Sequence, residues 1–493
     1  MTSKGFAYLV FLFCFSCFNS LASDYASLDK FIVDAKSVTN SVSGTSVVLI
    51  KDGEIVHEIH AGMADVENKI PVDTNSVYYF ASTTKAIMGL AILQAEQQGM
   101  LTRDSSLKQL FPNVDFRHID ANNYSVEDLL SHRSGLSNEA MTWTFSYTGN
   151  HDKEQRFHFI SSLKPHPEVD KGEFDYSNLG YNLLAIWFDE NFEGGWASAI
   201  DELVLSPAGM EKSTADVDRA RMQGWPIPKP YSYKFQNGQS EIYMNKNNRT
   251  LYSVGIFARP NDWAKLITHL LPINTDSSAF PKSVVAESQK LLVSNIDSYF
   301  SGYGWGWMHS EIAGEQVLMH TGGFDGTSVK VSYAPEKNIG VVIVHNESGL
   351  IANELNASIA EIAYKMLTSK EASKLVDSHR EEMNELAVYI DKIKAEIAAK
   401  REELSRRKNK SSTINSSLEG IYENSHAGII SIQQSDSGLH LSWGDLQSKV
   451  YSGAMENELV VELRPGKFFD VKFDKNMSAI ELKGWTFHKI NKP

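Results

Sequence analysis

The sequence predicts an α+β chain. An antiparallel sheet is built from both ends of a large domain, with helices packed on it and a mainly helical region inserted between. A helical linker and a small all-β barrel-like domain follow. Three observations carry this. Strand patterns lie at both ends of the first 368 residues, with helical patterns between them. Residues 369–417 shift to charged helix formers, and from 418 to 493 short alternating segments take over. The 493 residues exceed what one compact core holds, and 42% apolar content suits a globular chain. A formal net charge of −14 argues against nucleic acid as a partner.

Residues 1–22 read as a secretory signal. Lys4 supplies the positive start, Phe6 to Phe18 the apolar run, and Ser20-Leu21-Ala22 a small-residue cleavage site. A cleaved signal predicts a periplasmic or secreted protein. The other readings are an uncleaved anchor, for which the apolar run is short, and a lipoprotein held through Cys17. The second fits poorly, because Cys14-Phe15-Ser16 departs from the residues that usually precede such a cysteine. Both cysteines, Cys14 and Cys17, lie in this segment, so a mature chain has no thiol for catalysis, disulfides or metal.

Residues 23–368 form the large domain. "GTSVVLIKDGEIVHEIHAGMAD" (Gly44 to Asp65) is two strands joined at Asp52-Gly53. Helical patterns and loops follow from Ala81 to Leu271. "EQVLMHTGGFDGTSVKVSYAPEKNIGVVIVHN" (Glu315 to Asn346) reads as three strands, divided by the Gly-Gly pair and by Pro335-Glu336-Lys337-Asn338. Leu350 to Leu367 reads as a helix.

In the linker, Met383, Leu386, Ile390, Ile393 and Ile397 repeat at three- and four-residue steps, a short heptad seam. It serves either a helix packed on its own domain or self-association through residues 383–404. The tail after Ser417 alternates as an all-β sandwich or barrel does, and the polar stretch from Lys408 to Ser417 marks its connection.

Three short stretches carry chemistry. In "YYFASTTKAIMGLAILQAEQQGM" (Tyr78 to Met100) the helix is apolar almost all round, which places it in a core. Yet Ser82 and Lys85 share a face at its start, since i and i+3 are neighbours. The helix dipole there favours an alkoxide and a developing oxyanion. A lysine buried among apolar groups loses proton affinity, so a neutral amine at this position can take the serine proton and activate a weak nucleophile. The spacing alone is weak: it recurs at Ser27/Lys30, Ser105/Lys108, Ser161/Lys164 and Ser405/Lys408. The plain alternative is a serine N-cap with a lysine reaching to water.

"GEFDYSNLGYNLLAIW" (Gly172 to Trp187) places Tyr176 and Asn178 before another apolar helix. A tyrosine can shuttle a proton and an amide can bind a carbonyl. A core tyrosine and a capping asparagine are the alternatives. "MHTGGFDG" (Met319 to Gly326) has glycines that allow close approach of backbone to ligand, or make an ordinary hairpin.

In this order the three stretches resemble the active-site motifs of the serine β-lactamase and penicillin-binding-protein superfamily. The tyrosine of the second motif points to the class C β-lactamase-like branch, since class A enzymes carry Ser-Asp-Asn there. "LLSHRSGL" (Leu129 to Leu136), "LSPAGMEKSTAD" (Leu205 to Asp216) and "YGWGW" (Tyr303 to Trp307) support it, over about Ala26 to Met366. The tail resembles, more loosely, the lipocalin-like β-domain of some esterases and peptidases of this branch.

The resemblance implies that Ser82 is acylated, and that Lys85 and Tyr176 share the base and acid work. It implies that Asn178, His320, Thr321, Gly322 and Gly323 hold substrate, with the backbone N–H groups of Ser82 and Gly323 as oxyanion hole. It implies no metal and no organic cofactor. "HEIH" (His57 to His60) lacks metalloprotease spacing and sits in a strand.

One departure bears on substrate. The third motif usually starts with lysine; here it reads His320-Thr321-Gly322-Gly323. Esterases and D-amino-acid peptidases of the family often carry histidine there. A neutral histidine holds a substrate carboxylate less well than lysine, so His320→Lys is expected to shift preference modestly toward anionic substrates. Three functions follow for comparison. The first is a serine hydrolase of a small-molecule ester, amide or peptide. The second is a β-lactamase or D-alanyl carboxypeptidase. The third is a catalytically inactive binding protein.

Overall fold

The computed structural model describes residues 25–234, 255–296, 300–369, 371–407, 417–436 and 438–490. The signal reading of residues 1–22, with Cys14 and Cys17, and most of the connection from Lys408 to Ser417 lie outside them. Among the described residues no helix is long and apolar enough to cross a membrane.

The central sheet has eight strands. They are β1 (Thr45–Lys51), β2 (Glu54–Ala61), β3 (Val293–Ser294), β4 (Gly302–Tyr303), β5 (Met308–Ile312), β6 (Glu315–Phe324), β7 (Thr327–Ala334) and β8 (Ile339–His345). Their order is β3-β4-β5-β6-β7-β8-β1-β2, antiparallel throughout. The two ends of the domain meet where β1 pairs β8, from Thr45 opposite His345 to Lys51 opposite Ile339. Asp52 and Gly53 turn β1 into β2 with φ of 53° and 81°, the left-handed pair that a tight hairpin requires. One expectation needs correction. Gly322 and Gly323 do not turn the chain; they lie inside β6, and the turn is made at Asp325-Gly326.

Both faces of the sheet are covered, which explains its continuous apolar strands. Val47 and Leu49 of β1 face α1 (Ala26–Val38) and α5 (Leu350–Ser369), in a core with Leu28, Phe31, Ile32 and Ile359. Val48 and Ile50 face the other way, toward α2 (Thr84–Gln97), α3 (Leu179–Asn191) and α4 (Pro260–Leu270). Helix α6 (Ser373–Arg406) occupies the expected linker. Its seam packs within the chain: Met383 and Ile390 are buried, and Leu386 and Ile393 pack partly against the same core as Phe31 and Ile32. Near its end Arg401 holds Glu462 through two hydrogen bonds of 2.6 and 3.0 Å, and donates to the Lys234 carbonyl at 2.7 Å.

The tail closes into an eight-stranded barrel. Its strands are β9 (Gly420–Asn424), β10 (Gly428–Ser435), β11 (Gly438–Trp443), β12 (Leu446–Ser452), β13 (Glu458–Arg464), β14 (Lys467–Phe473), β15 (Ala479–Leu482) and β16 (Trp485–Ile490). Each pairs its neighbour in sequence and β16 returns to β9, an up-and-down barrel without free edges. Alternate residues such as Tyr422, Ile430, Ile432, Leu441, Trp443, Val461, Val471 and Phe487 are buried in its core.

That core does not stop at the barrel. Trp143 of the large domain lies 5.6 Å from Trp443 and 6.5 Å from Trp485, with the Lys483 ammonium 4.3 Å from its ring. Tyr79, Val217 and Phe257 belong to the same cluster. A chain ending at Ser412 would expose this face, so it is expected to melt at lower temperature and self-associate. Thermal denaturation and gel filtration check this; a monomer as stable as the full chain would contradict the shared core.

Candidate active site

Ser82 lies in a short 3₁₀ turn, Ala81–Thr83, that leads into α2. The turn is held from several sides. Thr83 Oγ1 donates to the Phe80 carbonyl at 2.6 Å, the Phe80 N–H to the Ile256 carbonyl at 2.8 Å, and the Ile256 N–H to Thr84 Oγ1 at 3.0 Å. Ala81 has φ of 42°, a strained value for a residue with a Cβ, immediately before the serine. Ser82 does not act as the cap of α2. Thr83 occupies that position without a side-chain bond to the helix end, and Ser82 Oγ accepts from Lys85 Nζ at 3.2 Å.

Lys85 does not reach water. It is 1% exposed, because α2 is buried between α3, α4 and the sheet. Its Nζ donates to Asn178 Oδ1 at 2.7 Å, and lies 4.9 and 5.3 Å from the ring centroids of Tyr176 and Tyr181. Among the described residues no carboxylate pairs with it. Asn178 stands at the start of α3 but leaves the helix end uncapped and turns its amide to the lysine. Tyr176 is 39% exposed, open on one side and packed against a tilted ring on the other.

That other side is His132, which the sequence reading passed over although it had singled out "LLSHRSGL". Its ring lies 4.6 Å from Tyr176, 4.7 Å from Tyr303 and 5.4 Å from Tyr181. Its backbone carbonyl accepts from the Asp175 N–H at 2.9 Å and its Nδ1 from the Ser177 N–H at 3.2 Å. One residue thus fixes the chain on both sides of Tyr176. Since Nδ1 accepts, the neutral tautomer carries its proton on Nε2. Burial, then the charge of Lys85 and the neighbouring His320, hold the ring well below the usual histidine range.

His320 is placed differently from the expectation. It is fully buried, and its Nδ1–H donates to the Thr321 carbonyl at 2.6 Å, while Nε2 faces the Tyr303 hydroxyl at 3.3 Å. Burial and then the charge of Lys85 push its pKa down to about 3. Both ring nitrogens are engaged inside the protein, so the side chain is an internal prop and offers none to a substrate. Tyr303 also meets the Tyr181 hydroxyl at 3.3 Å, and Tyr181 donates to the Leu130 carbonyl at 2.9 Å.

The glycines complete the wall. A Cβ on Gly322 would come within 2.7 Å of the Phe80 carbonyl oxygen and 3.2 Å of the Ser82 nitrogen, so glycine lets β6 seat against the serine turn. Gly323 is exposed, with no atom within 4 Å of where its Cβ would stand. The pairing of β5 with β6 ends at Met308 opposite Met319, so His320 to Phe324 run past that neighbour. The site thus brings together Ser82, Lys85, Tyr176, Asn178 and the Thr321–Gly323 backbone, with His320 behind. Elsewhere His57 bonds Asp29 at 2.7 Å and His60 bonds Ser46 at 2.9 Å, a packed surface.

The family model described as Beta-lactamase matches residues 30–364. Protein flp of Staphylococcus aureus (strain NCTC 8325 / PS 47) is 24% identical over 317 residues, 62% of this chain and 60% of its own. The chain spans about 60% of the length of the curated flp relatives it matches. Among solved structures, the octameric penicillin-binding protein homologue from Pyrococcus abyssi superposes with a TM-score of 0.61 at 21% identity, over 94% of this chain and 100% of that one. The D-amino acid amidase from Ochrobactrum anthropi SV3 superposes with a TM-score of 0.56 at 16% identity, over 73% of this chain and 99% of that one.

Proposed function

Because the chain belongs to the beta-lactamase family of serine hydrolases, we propose that it cleaves an uncharged ester or small peptide amide through an acyl-enzyme on Ser82. One observation carries the reading: a buried lysine whose Nζ lies 3.2 Å from Ser82 Oγ and 2.7 Å from Asn178 Oδ1. Ser82 Oγ attacks the carbonyl carbon and its proton passes to the Lys85/Tyr176 pair. The oxygen that gains charge accepts from the N–H groups of Ser82 and Gly323. The C–O or C–N bond breaks as the same pair protonates the leaving group. Water, deprotonated by that pair, then attacks the acyl carbon, and the proton passes to Ser82 Oγ as its bond to the acyl carbon breaks. Asn178 has a second task beside Lys85, which is to orient the substrate amide or ester. The D-amino acid amidase among the structural neighbours supports including small amides.

The second reading, a β-lactamase or D-alanyl carboxypeptidase, needs a cation for the substrate carboxylate. A neutral, buried His320 does not supply one. The missing cation is therefore expected to favour the neutral ester over nitrocefin by up to about fivefold in kcat/KM, the worth of one solvated ion pair. A p-nitrophenyl ester and nitrocefin assayed side by side decide it, and efficient nitrocefin turnover would promote the β-lactamase reading. The exchange His320→Lys is no longer a clean gain of anion binding. It would bury a second ammonium beside Lys85 and is expected to destabilise the fold.

A further inference from the structure

Four segments far apart in sequence meet beside Gly323. Arg464, at the end of barrel strand β13, holds Asp325 by two parallel bonds, Nε to Oδ2 at 2.6 Å and Nη2 to Oδ1 at 2.9 Å. Both side chains are withdrawn from water, at 23% and 13% exposure. The guanidinium lies 4.5 Å from the ring centroid of Tyr147, in the inserted region. Tyr147 stacks on Phe324 at 5.4 Å and 17°. Phe324 in turn meets Tyr79 edge-on at 5.9 Å and 73°.

Phe324, Asp325 and Tyr79 adjoin the reacting groups along the chain. Phe324 follows Gly323 directly, and Asp325 starts the turn after it. Tyr79 stands two residues before Ala81, and its carbonyl accepts from Thr327 Oγ1 at 2.9 Å. The series Arg464, Tyr147, Phe324, Tyr79 therefore runs unbroken from the barrel to the serine turn. The barrel end is itself braced: Glu462 accepts from Arg401 of α6 and from the Gly466 N–H at 2.7 Å.

We propose that Arg464 is a positioning residue for the hydrolase, and that barrel docking sets the oxyanion backbone through this ion pair and stack. The proposal rests on the reading of Ser82 as nucleophile. A bidentate guanidinium fixes a carboxylate in both distance and plane, which lysine does not. Without it, Asp325 loses its bidentate partner; Gly326 N–H still donates to Ser348 Oγ at 2.9 Å, so the turn stays in place while the Gly323 N–H shifts relative to Ser82. Donors that stabilise a developing oxyanion act only when already aimed, so a small displacement slows acylation without changing substrate contacts.

The test uses the full chain, a fluorophosphonate probe and a p-nitrophenyl ester. Arg464→Ala, Asp325→Ala and Tyr147→Leu are each expected to slow acylation at saturating probe by about tenfold to a hundredfold. KM should change by less than about threefold, since no substrate contact is lost. The Arg464→Ala/Asp325→Ala double variant should be no slower than either single one, because both act through one pair. Arg464→Lys should recover only part of the rate. Near-UV circular dichroism of the barrel tryptophans reports docking; if Arg464→Ala does not fold, Tyr147→Leu and Arg464→Lys carry the test. Unchanged acylation in those variants, or losses that multiply in the double variant, would overturn the proposal alone. A wild-type chain that carries no label on Ser82 would overturn the functional reading and this proposal with it.

Discussion

Replacing Ser82 by alanine is expected to lower turnover by on the order of 10⁴-fold or more, to the level that the remaining backbone donors and binding contacts sustain. The reason is chemical. An acyl-enzyme needs the oxygen that Lys85 faces at 3.2 Å, and among the described residues no second hydroxyl is paired with Lys85 Nζ. A fluorophosphonate label should then attach to the wild type at Ser82 and be absent from Ser82→Ala by mass spectrometry. Lys85→Met, which keeps the stem and removes the amine, should lose most activity while the fold persists, because Ala86 to Leu93 of α2 are apolar and buried. Activity that survives in Ser82→Ala, or a label on another serine, would remove Ser82 from the mechanism. A fully inactive, unlabelled wild type with bound ligand would favour the binding-protein reading.

Stability is expected to fall steeply as pH drops from about 6.5 to 4.5, by on the order of 5–8 kcal/mol in total. Three buried histidines cause it. His320 and His345 are each pushed down to about 3, and His132 well below the ordinary range. Burial is the first cause in each case; Lys85 adds to it for His132 and His320, and Lys36 for His345. Above pH 6.5 these rings are neutral in both folded and unfolded chains and contribute no pH dependence. Below it the unfolded chain binds their protons and the folded chain does not, so folding loses about 1.4 kcal/mol per pH unit for each ring. For His320 and His345 the loss continues until the folded rings titrate near pH 3. Carboxylates held below their usual range, such as Glu58 and Glu96, add to the loss only as pH falls below about 4.5. Urea unfolding at pH 7, 6, 5 and 4.5 measures the slope. Changing His345 to Gln, away from the active site and able to keep a bond to Asn356, should reduce it by one proton. A stability that stays flat from pH 7 to 5 would show that these rings take up protons in the folded chain as they do in the unfolded one.

Much of the site was legible because it is local. The pitch of a helix puts Ser82 and Lys85 on one face whatever the rest of the chain does, and an apolar surround on all sides of α2 predicts burial. The Asp52-Gly53 hairpin and the alternation of the barrel strands are equally local, set by left-handed backbone preference and by the two-residue period of a strand. The same logic misplaced Gly322 and Gly323. Glycine pairs signal turns, but here the glycine was required by the approach of β6 to the Phe80 carbonyl, a contact between residues more than two hundred positions apart.

What residue type and spacing determined, then, is where the candidate serine, lysine, tyrosine and amide lie, and the kinds of element that carry them. Tertiary structure alone decided three further matters. It decided that His320 points inward and is neutral, since charge state follows burial and the field of Lys85 and not the identity of the ring. It decided that His132 braces Tyr176, since a buried acceptor takes whichever N–H the folded chain presents. And it decided that the barrel reaches the serine turn through Arg464, 139 residues beyond Asp325, because the partner of a desolvated carboxylate is selected by packing and leaves no trace in local pattern.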